Sequence, residues 1–253
     1  MQFKDDIYFY PGQNGMNFSG EINCNTVLIK GSKHLLIDPG IARRYEELLA
    51  AIRSDNIDPS DIGLVLLTHG HPDHAEASIR FKADFGIKAA MSNVERQFLG
   101  GVGRTFYRKD FYKNTKAGSK YRISEYILPD KSMFIPVFSG PFLFENRQYR
   151  LYDTPGHSPG GLCFHWPESG LLVIGDNYFP GTIGAYDLPG GNFRTLAKSL
   201  TMLSGLLDVE MVMCGHGEAI VGREQVRQNY AALFDEIKIK ENTVDVNEES
   251  ESF

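Results

Sequence analysis

Residues 66–75 read LLTHGHPDHA, so that His69, His71, Asp73 and His74 fall within six positions directly after an apolar run. Any one of these histidines alone reads as a hydrogen-bonded core or surface residue. Together they form a set of imidazole and carboxylate groups, the usual protein ligands of zinc and of non-haem iron. A chain that concentrates them here must fold so that the cluster is held firmly yet reached by solvent. Three further polar residues recur in the same setting. His157 lies in DTPGHSPGG after a predicted strand, Asp176 ends LLVIGD, and His216 follows MVMC in CGHGE. Five of the seven histidines thus occupy strand-to-loop transitions next to glycine or other small residues, whereas His34 and His165 fall inside predicted hairpins and read as structural.

The strands inferred around these positions come in pairs. Residues 22–30 (INCNTVLIK) and 34–38 (HLLID) predict a hairpin closed by GSK and ended at Pro39-Gly40. IARRYEELLAAIRS carries apolar residues at helical spacing, and DPSDIGLVLLT predicts a turn followed by a strand buried on both faces. Residues 75–85 read as a helix that Gly86 ends, with IKAAMS as the next strand. In the second half, residues 142–145 and 149–153 predict one hairpin, and 162–166 and 171–174 another. TLAKSLTMLSGLL and REQVRQNYAALFDEIK predict amphipathic helices flanking the strand MVMC. Strand pairs alternating with helices in both halves suggest two sheets packed face to face with helices outside. Residues 1–240 read as one domain, and the acidic end, residues 241–253, as a tail without fixed structure.

Composition narrows the partners. A chain of 253 residues with 42% hydrophobic and 23% charged content can bury a full core. Its formal charge of -6 gives no global reason to expect nucleic acid or an anionic membrane as partner. The opening MQFKDDIYFYPGQNG lacks the apolar stretch of a secretory signal, and no segment reaches membrane-spanning length, so a cytoplasmic protein is expected. Cys24, Cys163 and Cys214 are widely separated within apolar segments, which predicts buried, reduced thiols rather than a cysteine zinc site.

With THGHPDH (68–74), PGHSPGG (155–161), IGD (174–176) and CGHGE (214–218) in this order, the chain resembles the metallo-β-lactamase fold superfamily. The resemblance implies an α/β fold: an αββα four-layer sandwich of two mixed sheets flanked by helices, with a metal site at the sheet edges. It also implies that His69, His71 and His157 bind one metal, that Asp73, His74 and His216 bind a second, and that Asp176 bridges them. Flavodiiron reductases carry Glu at the place of His71, and the best-known zinc β-lactamases carry Cys at the place of Asp176, so neither branch fits. The glyoxalase II-like hydrolases are more similar, through a loop resembling GDNYFPGTIGAYDLPGGN (175–192). Their usual Arg-Thr pair is replaced here by Ala185 and Tyr186, and their separate C-terminal helical domain is not expected in this chain, so glutathione thioesters are not implied.

The activity implied by that resemblance is a hydrolase with two divalent metal ions, zinc as first choice and iron or manganese as alternatives. Two such cations lower the pKa of a shared water from ~16 to near 7, giving a hydroxide that attacks a thioester or other carboxylic ester. Asp73 is expected to bind metal, to orient the hydroxide and to cap the following helix. Asp38 in LIDPG either orients a ligand or simply forms the turn before Pro39. Tyr178 and Tyr186 follow the bridging aspartate, where each either donates to an oxyanion or packs. A mononuclear iron persulfide dioxygenase is the main alternative, followed by a lactonase, a phosphodiesterase or nuclease, and an inactive binding module. Residues 95–135 form a basic and aromatic insertion, with nine Lys and Arg against four Asp and Glu between Glu95 and Lys131. It reads as a lid that favours a small anionic or acyl-bearing substrate, or as a homodimer interface, with a nucleic-acid groove as a third reading.

Overall fold

The computed structural model describes residues 1–12, 23–100 and 130–250, with side chains to residue 242. The apolar runs pair into two sheets. The first orders β1 (Gln2–Lys4), β2 (Ile7–Tyr10), β3 (Thr26–Ile29), β4 (His34–Ile37), β5 (Ile62–Leu66), β6 (Lys88–Ser92) and β7 (Phe134–Val137) in sequence. It is antiparallel from β1 to β4 and parallel from β4 to β7. The second contains β8 (Gly140–Phe144), β9 (Arg147–Asp153), β10 (Leu162–Trp166), β11 (Leu171–Gly175), β14 (Met211–Cys214) and β15 (Ile220–Val221), in the order β15-β14-β11-β10-β9-β8. Only β11 and β14 run parallel in it. A ribbon of β12 (Tyr178–Phe179) and β13 (Thr182–Ile183) follows Asp176.

Strand alternation sorts the side chains into layers. Leu35, Ile37 and Leu66 of the first sheet meet Leu151, Phe164, Val173 and Met213 of the second, forming the core between the sheets. The neighbours of these residues point the other way. Leu36, Val65 and Leu67 pack under α1 (Tyr45–Ser54) and α3 (Ser78–Phe85). Leu172, Ile174 and Val212 pack under α5 (Phe193–Ser204) and α6 (Arg223–Ser250). Each large apolar side chain buried in these layers contributes roughly 1.5–3 kcal/mol. The result is the expected αββα sandwich of two mixed sheets.

Local details depart from the sequence reading. The strand expected from residue 22 forms only from Thr26, and β5 is fully buried at Val65 and Leu66 but exposed at Gly63. The helix expected over 75–85 is split into α2 (Pro72–Ala75) and α3, and Gly86, left-handed at φ 70, ends it as expected. At the far end α6 continues to Ser250, into the acidic segment expected to lack structure; no Pro or Gly interrupts that stretch. The flanks of the 95–135 insertion are regular: α4 (Asn93–Gly100) precedes it, and β7 completes the edge of the first sheet. Its centre, 101–129, lies outside the described residues. The three cysteines are free and buried, as expected, and no helix of the described residues is long and apolar enough to cross a membrane.

Candidate metal centre

The seven polar residues singled out in the sequence come together at one edge of the sandwich. Leu67 still pairs with β6, donating to Ala90 O at 2.8 Å, and Thr68 O accepts from Leu162 N at 2.8 Å, tying the end of β5 to β10 of the other sheet. His69 and His71 leave from that tie. His157 follows β9, Asp176 follows β11 and His216 follows β14, so parallel β11 and β14 deliver their two residues side by side. Gly215 N donates to Gly175 O at 2.7 Å, extending that pairing past both strand ends. A side chain at Gly215 would overlap Asp176 Oδ1 and stand 2.6 Å from His74 Cε1, so only glycine fits here.

Two groups of ligating atoms result, His69, His71 and His157 in one, and Asp73, His74, Asp176 and His216 in the other, each with atoms within 4.8 Å of one another. Asp176 reaches both groups: Oδ1 lies 3.2 Å from His74 Nε2, and Oδ2 lies 3.5 Å from His216 Nε2 and 3.7 Å from His157 Nε2. Asp73 Oδ2 lies 3.1 Å from His216 Nε2. Asp73 sits inside the first turn of α2, whose start at His71 has no side-chain cap, so the capping role expected of it is corrected: its carboxylate faces His216 instead. His34 and His165 lie outside both groups; His34 Nδ1 accepts from Gly31 N at 3.3 Å and His165 Nε2 lies 3.4 Å from Asp208.

Hydrogen bonds on the far side of three of the rings set their tautomers. His157 Nδ1 donates to Ala185 O at 2.6 Å, and His74 Nδ1 donates to Asp38 Oδ2 at 2.9 Å. Thr68 Oγ1 donates to Asp38 Oδ2 at 2.6 Å and accepts from His69 Nδ1 at 3.0 Å. Asp38 therefore orients one ring in each group, which decides between the two roles its sequence left open. It does so from φ 52, a left-handed conformation that Asp tolerates better than most side chains. Asn25 was not foreseen: its Nδ2 donates to Cys214 O at 3.0 Å and to Gly217 O at 2.8 Å, bracketing His216. Glu95, also missed, joins Gly70 and Gly160 across the centre.

Electrostatics separate the two groups. Burial, then neighbouring rings, hold His69 well below the ordinary imidazole value, and burial and His157 push His71 down to about 3, so both are neutral; burial also lowers His157. In the other group, burial would lower His216, but Asp176 and Asp73 lift it to about 10. Burial would raise Asp176, yet His216 and His74 hold it well below the carboxylate range. His69 Nε2, His74 Nε2 and Asp176 Oδ1 are buried without a hydrogen bond. Unsatisfied buried nitrogens and a carboxylate converging on one place suit divalent cations, whose charge would also displace the protons of the second group.

The two tyrosines are placed differently. Tyr178 is fully buried, its ring 5.3 Å from that of Tyr230 in the layer under α6, so it packs rather than facing the ligands. Tyr186 is half-buried; its hydroxyl accepts from Lys240 Nζ at 3.4 Å and its ring packs on Phe193 at 5.1 Å. Neither hydroxyl is brought to the centre, since a tyrosine's position on a loop does not fix which way its ring turns.

The family model of the Metallo-beta-lactamase superfamily matches residues 19–216. Hydroxyacylglutathione hydrolase GloC of Haemophilus influenzae is 28% identical, the match covering 82% of this chain and 91% of that protein. Probable metallo-hydrolase YqgX of Bacillus subtilis is 30% identical, over 78% of this chain and 87% of that protein. The crystal structure of TTHA1623 in a di-iron-bound form superposes with a TM-score of 0.62 at 27% identity, over 81% of this chain and 93% of that one.

Proposed function

Because the chain belongs to the metallo-β-lactamase superfamily, we propose that it is a dinuclear metal-dependent hydrolase of thioesters or other carboxylic esters, similar to glyoxalase II. The observation that carries this is the convergence of seven side chains from four strand ends into two groups, with Asp176 of the second lying 3.7 Å from His157 of the first. The resemblance to GloC supports an acyl thioester as substrate class. The free, buried thiols agree with a reducing cytoplasm. Zinc remains the first choice of metal, and the di-iron form of TTHA1623 supports iron as the second reading.

When bound, a pair of divalent cations supplies an acidified water and a Lewis acid for the scissile carbonyl. His69, His71 and His157 would hold one ion, as neutral imidazoles kept so by burial. Asp73, His74 and His216 would hold the other, and Asp176 would span the two. The Asp38, Thr68 and His69 chain fixes the ring so that Nε2 faces inward, and the Asp38 to His74 bond does the same for the second group. Asp73, whose Oδ2 lies 3.1 Å from His216 Nε2, would orient the attacking water. A small anionic or acyl-bearing substrate, with residues 95–135 acting either as a lid over it or as a homodimer interface, remains part of this reading.

The test is metal content by elemental mass spectrometry on protein purified without added metal, with turnover on a panel of thioesters, lactones and phosphodiesters. Two ions per chain and thioester turnover are expected, with metal content lowered and turnover abolished in His71→Ala and Asp176→Ala. About one iron per chain, with oxygen uptake on a persulfide, would replace this reading by the mononuclear dioxygenase.

A further inference from the structure

Glu95 lies on α4, outside both ligand groups, and is fully buried. Among the described residues no lysine or arginine pairs with it. Instead Oε1 accepts from Gly70 N at 3.0 Å and Oε2 accepts from Gly160 N at 2.8 Å. Gly70 sits between His69 and His71, and Gly160 closes the loop that carries His157. One carboxylate therefore spans the two backbone segments that present the three-histidine group.

Ser92 completes the arrangement. Its Oγ accepts from Glu95 N at 3.1 Å, as the first residue of a capping box does, and donates to Gly160 O at 2.6 Å. In an ordinary capping box the Glu returns to the amide of its own Ser and serves only the helix. Here the Ser-x-x-Glu pattern of residues 92–95 turns that side chain outward, so that Gly160 is held at its N–H by Glu95 and at its carbonyl by Ser92. A Cβ at Gly160 would overlap Glu95 N and stand 2.6 Å from Ser92 Oγ, so the approach leaves no room for any other residue. The four-ligand group has supports that Glu95 does not touch: Asn25 brackets His216 alone, and Asp38 stands behind His74 while also reaching His69 through Thr68.

We propose that Ser92 and Glu95 are positioning residues which fix the separation of the His69–His71 loop from the His157 loop, and so set the metal affinity of the three-histidine group selectively. The proposal rests on reading these histidines as metal ligands. A carboxylate is required because both facing groups are N–H donors. Glutamine keeps the shape but turns one acceptor into an NH2 that opposes one of them.

The experiment measures zinc affinity by competition with a chromogenic chelator in two backgrounds. His216→Ala damages the four-ligand group and leaves the three-histidine group to be titrated; His71→Ala does the reverse. Glu95→Gln is expected to weaken zinc binding about 10–100-fold in the His216→Ala background, the range for residues that support ligands, and to leave it unchanged in the His71→Ala background. Ser92→Ala, which removes only the Gly160 contacts and the helix cap, weakens the same site by a smaller factor and serves if Glu95→Gln fails to fold. Equal weakening in both backgrounds, or none in either, overturns selective positioning while leaving the metal reading intact. A parent protein that takes up no zinc overturns the functional reading and this proposal with it.

Discussion

Asp38 Oδ2 accepts from both Thr68 Oγ1 and His74 Nδ1, and Thr68 in turn accepts from His69 Nδ1. Through these bonds one side chain settles which nitrogen two rings offer, and its own left-handed backbone is a conformation that costs roughly 1–2 kcal/mol for most residues. Titration is governed by the same surroundings. In the metal-free protein, the His71 ring should stay neutral until about pH 3, and His216 should stay protonated up to about pH 10, as read from imidazole NMR signals. The depressed His71 binds its proton more readily when the chain is unfolded. Its contribution to stability is therefore complete above the ordinary imidazole value and is lost as pH falls toward 3. His216 works in the opposite sense: its contribution is complete below the ordinary value and is lost as pH rises toward 10. Titration of both rings near the ordinary value would show that the two groups do not differ as described.

The ends of elements, rather than their middles, carry the centre, and this is why the residues that meet there were legible in the sequence. A histidine beside glycine after an apolar run marks a strand end whatever the rest of the fold, so His157, Asp176 and His216 could be placed without knowing the topology. Supports such as Asn25 and Glu95 were not legible. Their partners, Gly217 and Gly160, are distant in sequence and are backbone groups, which leave no residue-type signature. Glu95 did carry a signal in its Ser-x-x-Glu spacing, but that spacing predicts a helix start and nothing about what the acid touches. Asp73 was misplaced as a cap for the same reason, because α2 begins earlier than the helix read from the sequence, at Pro72. The close parallel pairing of β11 and β14 makes its own prediction. Gly215→Ala should force the His216 loop away from Asp176, lowering stability by about 1–3 kcal/mol, the usual cost of overpacking. Metal content should fall with it, and a variant with unchanged content and melting temperature would show that the loop yields without consequence.

At the scale of the whole molecule, the two layers of sheet were legible from alternation and pairing, while strand order was not. The crossovers that place β14 beside β11, and β7 at the far edge of the first sheet, depend on packing choices among similar apolar strands. The ligand groups straddle that assembly, with His69, His71, Asp73 and His74 leaving the first sheet and His157, Asp176 and His216 leaving the second. Ions bound there would hold the folded state alone, so each site, if filled at a hundred times its dissociation constant, should add about 2.7 kcal/mol. Chelation should lower the melting temperature by several degrees, and by less in His216→Ala, as followed by scanning calorimetry. An identical shift in the two proteins would remove the second group from the centre.

The same straddling has a consequence for how the protein is made. His69 leaves the ribosome before His216, a delay of roughly 7–30 s at ~5–20 residues per second. Through that interval the first loop is already synthesised, and His157 and Asp176 join it, but the group of Asp73, His74, Asp176 and His216 stays incomplete until the end. Any ion taken up by that second group would therefore have to enter after β14 has emerged, whereas the three-histidine group has all its side chains some sixty residues earlier.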